Sequence, residues 1–151
     1  MRWLNSDPQF VPHLADALDI VPTNGTCQIS EFDDDVPVAG VLFDGYNGKS
    51  IHAHIWINPT RHPSRRFYWA VCDYAFNKLR VSNVVGTVPS SCERAFRLNS
   101  HMGFRVIGNI GDYYPNGDFM IVMVCTPATV FDFERLKPKD MAHASDITIA
   151  A

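Results

Sequence analysis

The sequence lacks any long apolar run, and no stretch of it approaches the ~20 apolar residues of a membrane span. A membrane is therefore not an expected partner. The segment Met1–Pro8 also lacks the apolar core of a signal peptide, so we expect a cytoplasmic protein. No C-x-x-C pair is present, and the four widely separated cysteines are expected to be free thiols in a reducing compartment.

Strongly basic segments are also missing. The net charge is −3, so binding of nucleic acid through its phosphates is not expected. No nucleophile elbow, Walker A loop or Rossmann fingerprint is present, so the sequence does not indicate a serine hydrolase, a P-loop enzyme or a dinucleotide enzyme. What remains is an ordinary globular composition, 46% apolar and 19% charged, of a size that forms one domain.

The first half of the chain alternates between helical and strand periodicity. An amphipathic helix is predicted from Pro8 to Ile20, capped by Asp7, with its apolar face continuing to Val21. Ser64 is a credible N-cap for a second helix, which we expect to carry its apolar positions as far as residue 79. Strands are predicted at 27–32, 36–43 and 50–58, the first two joined in a hairpin by an acidic turn.

The second half centres on the segment 83–110, which is typical of a strand, a helix and a strand. Ser90 to Glu93 have the S-x-x-E spacing of a capping box, and Gly103 is the expected end of the helix. A further strand is predicted at 118–124, after a turn at 111–117. A short element follows Thr126, the domain is predicted to span 1–136, and 137–151 are predicted to be a loose tail. The result is an α/β domain of the α+β kind, with helices on the faces of a mixed sheet.

Two histidines lie on the polar face of the strand at 50–58. His52 and His54 alternate with apolar residues, so both are predicted to point away from the main core. A neutral imidazole can accept a proton near pH 7, which makes each a candidate general base. A metal site needs further ligands, and the spacing shows none, so no metal is expected. A histidine packed against the backbone is the remaining interpretation.

The loop that follows this strand is a candidate anion site. Ser64 opens a helix directly after a strand, where free amides and the helix dipole favour an anion. Arg61, Arg65 and Arg66 add positive charge and suit phosphate, although a solvated basic turn has the same composition. Cys92, at the start of the next helix, is a candidate nucleophile without an identified partner histidine.

The segment ERAFRLNSHMGF resembles the last helix of the GNAT superfamily of N-acetyltransferases, and the loop from Arg61 to Arg66 resembles that of some members of phage and prophage type. Its matching residues are Glu93, Ala95, Leu98, Gly103 and Phe104. Upstream, DYAFNKLRVSNVVGTV resembles the end of that family's coenzyme-binding helix and the strand after it, and the order of elements agrees over about residues 1–125.

This resemblance implies acetyl-CoA as co-substrate and an amine of a small molecule or protein as acceptor. The fourth strand and the next are expected to splay, so that pantetheine pairs with Ile55, Trp56, Ile57 and Asn58. Pyrophosphate is then expected on the loop that carries Arg61, Ser64, Arg65 and Arg66. Cys92 and Asn99 occupy two further motif positions. The catalytic candidates are His54, then His52 as base, and Tyr113 among several acids. A homodimer is one possible assembly, which the sequence does not decide.

Three departures from the family pattern leave an alternative open. The loop has no glycine, Cys92 replaces the motif's asparagine, and Asn99 replaces its tyrosine, often the acid that protonates the leaving thiolate. Asparagine is a poor proton donor. The alternative is a GNAT-fold protein that has lost acetyl transfer and acts as a binding or interaction module, for example a phage-encoded host modulator. A third option, another acyl chemistry on a polymer such as nucleic acid, is disfavoured by the lack of a basic surface.

Overall fold

Seven strands form one sheet in the computed structural model, which describes residues 1–139. Their bounds are Arg2–Asn5 (β1), Cys27–Asp33 (β2), Val36–Asp44 (β3), Ser50–Ile57 (β4), Asn83–Pro89 (β5), Arg105–Ile110 (β6) and Met120–Cys125 (β7). The strands lie in the order β1-β2-β3-β4-β5-β7-β6. Every neighbouring pair is antiparallel except β4 with β5, which is parallel.

Three α-helices pack on the two faces of this sheet. They are Val11–Leu18 (α1), Arg65–Cys72 (α2) and Glu93–Met102 (α3). The predicted mixed, mostly antiparallel sheet with helices on both faces is confirmed. A 3-10 turn precedes α1, a π-helical segment at Asp73–Lys78 replaces the predicted continuation of α2, and a 3-10 helix forms at Phe133–Leu136. None of the helices within residues 1–139 has both the length and the apolar character needed to cross a membrane.

The two faces carry separate cores. The larger lies between the sheet and the pair α2 and α3, and it contains fully buried residues such as Phe43, Phe67 and Trp69. The smaller lies under α1, where Leu14 and Ala15 pack on Leu42 of β3. We call these sides the α2/α3 face and the α1 face. Alternate residues of β4 therefore point into different cores, which is what separates its histidines from its isoleucines.

The N-terminal region differs from the prediction at both ends. The unpredicted strand β1 pairs with β2, and Trp3 stacks on Phe32 with 4.6 Å between ring centroids. Four residues without polar alternation give too little periodic signal to reveal it. The first helix ends at Leu18 because Asp19 takes a left-handed backbone conformation, with φ of 55°. The predicted extension to Ile20 is therefore wrong, and Val21 is 87% exposed.

The predicted capping box at α3 is wrong. Glu93 is the first helical residue, and the N-cap is Cys92, whose side chain makes no capping hydrogen bond. The two serines stabilise the neighbouring hairpin instead. Ser90 Oγ accepts a hydrogen bond from the Phe119 amide, and the Ser91 hydroxyl donates to the Asp118 carboxylate. The S-x-x-E spacing thus coincides with a helix start without forming the reciprocal bonds.

The segment 83–110 forms the predicted strand, helix and strand, but its two strands are not neighbours. The last strand, β7, lies between them and pairs with both, so α3 crosses over one strand position. The strand β7 also begins at Met120 rather than at residue 118. Of the predicted C-terminal tail, residues 140–151 lie outside the described part of the chain, so the predicted domain boundary stays a prediction.

Replacing Gly103 by alanine is expected to destabilise the fold by about 2–3 kcal/mol, since left-handed strain and a backbone clash add. Gly103 ends α3 with φ of 104°, and a Cβ there would lie 2.1 Å from the Thr129 carbonyl oxygen. Urea unfolding of the variant measures the effect. Gly25→Ala is the matched control, because a Cβ at Gly25 meets nothing within 4 Å. Equal stability of the two variants would contradict this account of the helix end.

Candidate active site

The sheet forks between β4 and β5. Their parallel pairing covers only Ser50–His52 against Asn83–Val85, although β4 continues to Ile57 and β5 to Pro89. The far edge of β5 is bonded to β7, and that of β4 to β3. In an antiparallel pair, alternate residues point their backbone N–H and C=O groups away from the partner strand. Beyond His52, the backbone groups of β4 that point away from β3 therefore face the fork without a strand to bond.

A cleft of about 430 Å³ occupies this fork, mainly on the α2/α3 face. Its walls come from both strands and both helices, so one ligand there would touch four elements. Five of the predicted site residues line it: Ile55, Trp56, Ile57, Cys92 and Asn99. Unpredicted lining residues include His62, Tyr68, Thr87, Arg94, Ala95 and Leu98. The lining is largely apolar, with charge confined to Arg94, so the cleft suits a long, mostly uncharged chain with a charged end.

The loop after β4 is fixed by hydrogen bonds within the loop and by contacts with β2 and β3. The Asn58 amide nitrogen Nδ2 donates to the Pro37 carbonyl, while Oδ1 accepts from the backbone and hydroxyl of Thr60. Arg61 forms an ion pair with Asp33 of β2 at 2.9 Å. These two predicted ligand residues are thus engaged in fixing the loop. Their side chains would need to exchange partners in order to contact a ligand.

A carboxylate from β2 already accepts a hydrogen bond at the start of α2. Ser64 caps the helix as predicted, accepting from the Phe67 amide, but its own amide donates to Glu31 Oε2 at 2.8 Å. Glu31 is only 1% exposed. The amides of Arg65 and Arg66 have no hydrogen-bond partner within residues 1–139, as expected for a first helical turn. The buried Nε of Arg66 also lacks a partner among these residues.

The predicted catalytic histidines lie on the α1 face, opposite most of the cleft. His54 Nε2 is 3.3 Å from Asp44 Oδ1, and His52 Nδ1 is 3.9 Å from the same oxygen. Asp44 is at the end of β3, directly across the ladder from His52. The sequence did not reveal this carboxylate, because strand pairing rather than spacing brings it to the histidines. Tyr113 is half exposed, packs on Tyr114, and is not among the cleft residues.

Tyr68 is the most informative residue that the sequence did not single out. It lies on α2, lines the cleft, and is half-buried. Burial, followed by the negative charge of Glu31, raises the pKa of its hydroxyl, while Arg94 acts in the opposite direction. The phenol is therefore protonated at neutral pH and can donate a proton. In the sequence it is one more aromatic in an amphipathic helix, which explains why it was missed.

A second cavity of about 310 Å³ lies on the α1 face. It is formed by the first helix and the adjoining strands, with Leu14, Ala17 and Phe32 among its walls. Trp56 lines both this cavity and the cleft, so the two adjoin at this residue. The sheet therefore has a cavity on each of its two faces.

Comparison with known proteins gives a match in structure only. No family model matches the sequence, and no curated protein does. A mutant spermidine/spermine N-acetyltransferase SpeG from Vibrio cholerae superposes with a TM-score of 0.68 at 14% identity, covering 85% of this chain and 96% of that one. A dodecameric structure of spermidine N-acetyltransferase from Vibrio cholerae gives 0.66 at 16% identity, covering 83% and 93%.

This chain has the GNAT fold. At these identities the match establishes the architecture alone. The GNAT fold explains why the fourth and fifth strands separate, and the predicted splaying is confirmed by the short β4–β5 pairing. It also explains the order of the remaining elements, including the C-terminal hairpin of β6 and β7.

Proposed function

We propose that the protein transfers an acetyl group from acetyl-CoA to an amine, and that the amine attacks the thioester directly. The observation that carries this proposal is the fork between β4 and β5, which opens a cleft of about 430 Å³ beside unpaired strand backbone. The amide groups of pantetheine would complete the ladder that β5 leaves unfinished, as an added strand does. Ile55, Trp56 and Ile57 supply that backbone, while Ala95 and Leu98 form the opposite wall.

The pyrophosphate would bind where β4 leads into α2. Among residues 1–139, the amides of Arg65 and Arg66 and the Nε of Arg66 have no hydrogen-bond partner, and Arg94 lies at the cleft. Backbone amides and guanidinium groups are the usual phosphate partners. In this proposal Arg61, Ser64 and Asn58 shape the loop more than they touch the coenzyme. We also propose that the protein is a member of phage type, because its loop has no glycine.

The acceptor would approach from the α1 face. His54 is the proposed base: Asp44 accepts its Nε2–H and leaves Nδ1 to take a proton from the ammonium, directly or through a water. The free amine then forms the N–C bond, a backbone amide near Ile57 holds the developing oxyanion, and the C–S bond breaks. His52 is the second candidate for the base. The described residues that line the adjoining cavity are mostly apolar and include no carboxylate, which favours an amine on an apolar or aromatic body.

Tyr68 is the proposed donor to the departing thiolate, in place of the tyrosine that the motif position Asn99 lacks. Tyr68→Phe is expected to lower kcat roughly tenfold or more, because it removes the proton and keeps the ring. The dissociation constant of acetyl-CoA should stay the same. Steady-state kinetics and calorimetry separate the two quantities, and Tyr113→Phe is the matched control. An unchanged kcat in Tyr68→Phe with a loss in Tyr113→Phe would return the role to Tyr113.

We further propose where the protein acts and how it assembles. All four cysteines are free, which suits the reducing cytoplasm where we propose that the protein acts. The edge strand β6 exposes Val106, Ile107 and Ile110, an apolar edge of the kind that a second chain covers. We therefore retain the homodimer, and sedimentation velocity is the measurement that tests it.

One observation favours the alternative of a binding module without acetyl transfer. The buried Glu31 carboxylate already occupies an amide at the start of α2, where the family's phosphate is expected. The deciding experiment follows release of free coenzyme A thiol from acetyl-CoA across a panel of aliphatic and aromatic amines. Amine-dependent thiol release supports the transferase. Coenzyme binding without release for any amine would support the module instead.

A further inference from the structure

We propose that Asp44, His52 and His54 form a binding site for a divalent transition-metal cation of the zinc class. The three side chains present one ligand atom each, and these atoms all lie within 4.8 Å of one another. Two imidazoles and one carboxylate form a ligand set found in zinc and non-haem iron sites. The site is independent of the cleft, because it lies on the α1 face and shares no residue with the cleft lining.

The separations are close to those of a metal centre. Ligand bonds of about 2.0–2.1 Å at a tetrahedral angle put neighbouring ligand atoms roughly 3.4 Å apart. The two measured separations to Asp44 Oδ1 are 3.3 Å for His54 Nε2 and 3.9 Å for His52 Nδ1. The third separation, between the two imidazole nitrogens, is within 4.8 Å.

The backbone holds the three ligands in place before any ion binds. Asp44 and His52 face each other across the β3–β4 ladder, and His54 follows on the same face of β4. The turn between the strands is fixed by Asn47, whose Oδ1 accepts from the amides of Lys49 and Ser50. Sites carried by paired strands hold their geometry better than sites on free loops.

Solvent access and room also fit a bound ion. The side chain of His52 is 52% exposed, while those of His54 and Asp44 are 23% and 22% exposed. Gly45, next to Asp44, has no side chain to cover the imidazole of His52. Three protein ligands with an open side leave positions for water, as in zinc sites that exchange a ligand. The absence of a thiolate among the three ligands favours zinc, nickel or cobalt over copper(I).

A consequence for catalysis rests on the proposed function. An ion on Nε2 of His54 replaces the proton there, so the neutral ring carries its proton on Nδ1. Nδ1 is then no longer a base. A bound cation would therefore inhibit acetyl transfer while leaving the coenzyme cleft open.

The test titrates Zn²⁺ into the untagged protein by calorimetry, without coenzyme. All proteins carry Cys92→Ser, because the exposed Cys92 thiol is itself a zinc ligand. One ion per chain is expected, weakened roughly tenfold or more by Asp44→Asn, His52→Gln or His54→Gln, since even outer partners of metal ligands matter this much. His101→Gln, at an exposed position of α3, is the control and should bind unchanged.

Equal zinc affinity in the three ligand variants and the control would overturn the site, and so would the absence of any binding. Turnover measured with saturating Zn²⁺ is a separate readout. Inhibition by Zn²⁺ that a metal chelator reverses supports both the site and the role of His54. Binding at the site without inhibition would overturn the role of His54 as base and leave the metal site standing, so the two failures are distinguishable.

Discussion

Ala95→Trp is expected to weaken acetyl-CoA binding roughly a hundredfold, which corresponds to about 2.7 kcal/mol. Ala95 lies on α3 and lines the cleft that β4 and β5 leave open. An indole there would project into the 430 Å³ cleft in which we place pantetheine. Ala95 is not fully buried, so the larger side chain has open space to enter and the fold should survive. Calorimetric titration of acetyl-CoA into both proteins measures the change.

The matched control is Ala17→Trp, which fills the second cavity on the α1 face. This variant is expected to bind acetyl-CoA as the wild type does, but to raise the KM of the acceptor amine. Circular dichroism and thermal unfolding of both variants verify that they fold. Undiminished coenzyme binding by Ala95→Trp would show that acetyl-CoA does not use the cleft between β4 and α3.

His54→Ala is expected to lower kcat roughly 100- to 10,000-fold, the range typical of general acid–base groups. The dissociation constant of acetyl-CoA should stay unchanged, since His54 is not among the residues that line the cleft. Single-turnover kinetics with the amine identified in the panel give the rate of the chemical step. Metal chelator is present throughout, so that an ion at Asp44 does not contribute.

The comparison with His52→Ala decides between the two candidate bases. His54 is the closer to Asp44 and the less exposed, so Asp44 orients its ring more firmly than that of His52. We expect the loss in His52→Ala to be the smaller one. A larger loss in His52→Ala would transfer the role to His52, and full activity in both variants would remove the histidines from the mechanism.

Strong local signals predicted much of the fold. Alternation along β4 separated its histidines from its isoleucines, and the structure places them on opposite faces as expected. Ser64 and Gly103 marked a helix start and a helix end, because capping is decided by the few residues around each terminus. The fork in the sheet was expected only through the GNAT resemblance, since no single strand's sequence records where its partner leaves.

Contacts between distant segments account for what the sequence did not predict. Asp44 joins the histidines through strand pairing, and Glu31 reaches the start of α2 from β2. Tyr68 becomes part of a cleft only when the fold brings α2 to the fork that α3 also lines. Ser90 and Ser91 form hydrogen bonds with Asp118 and Phe119, just before β7, rather than with α3. Their spacing from Glu93 therefore predicted the wrong partners. In each case the deciding partner lies far away in the chain.

The most direct test of the central claim is a calorimetric titration of the unmodified protein with acetyl-CoA. The proposed coenzyme cleft predicts one molecule per chain, with a dissociation constant roughly between 1 μM and 1 mM, the usual range for enzyme substrates. No measurable binding at millimolar acetyl-CoA would contradict the claim. It would leave a GNAT-fold protein whose forked sheet serves another ligand.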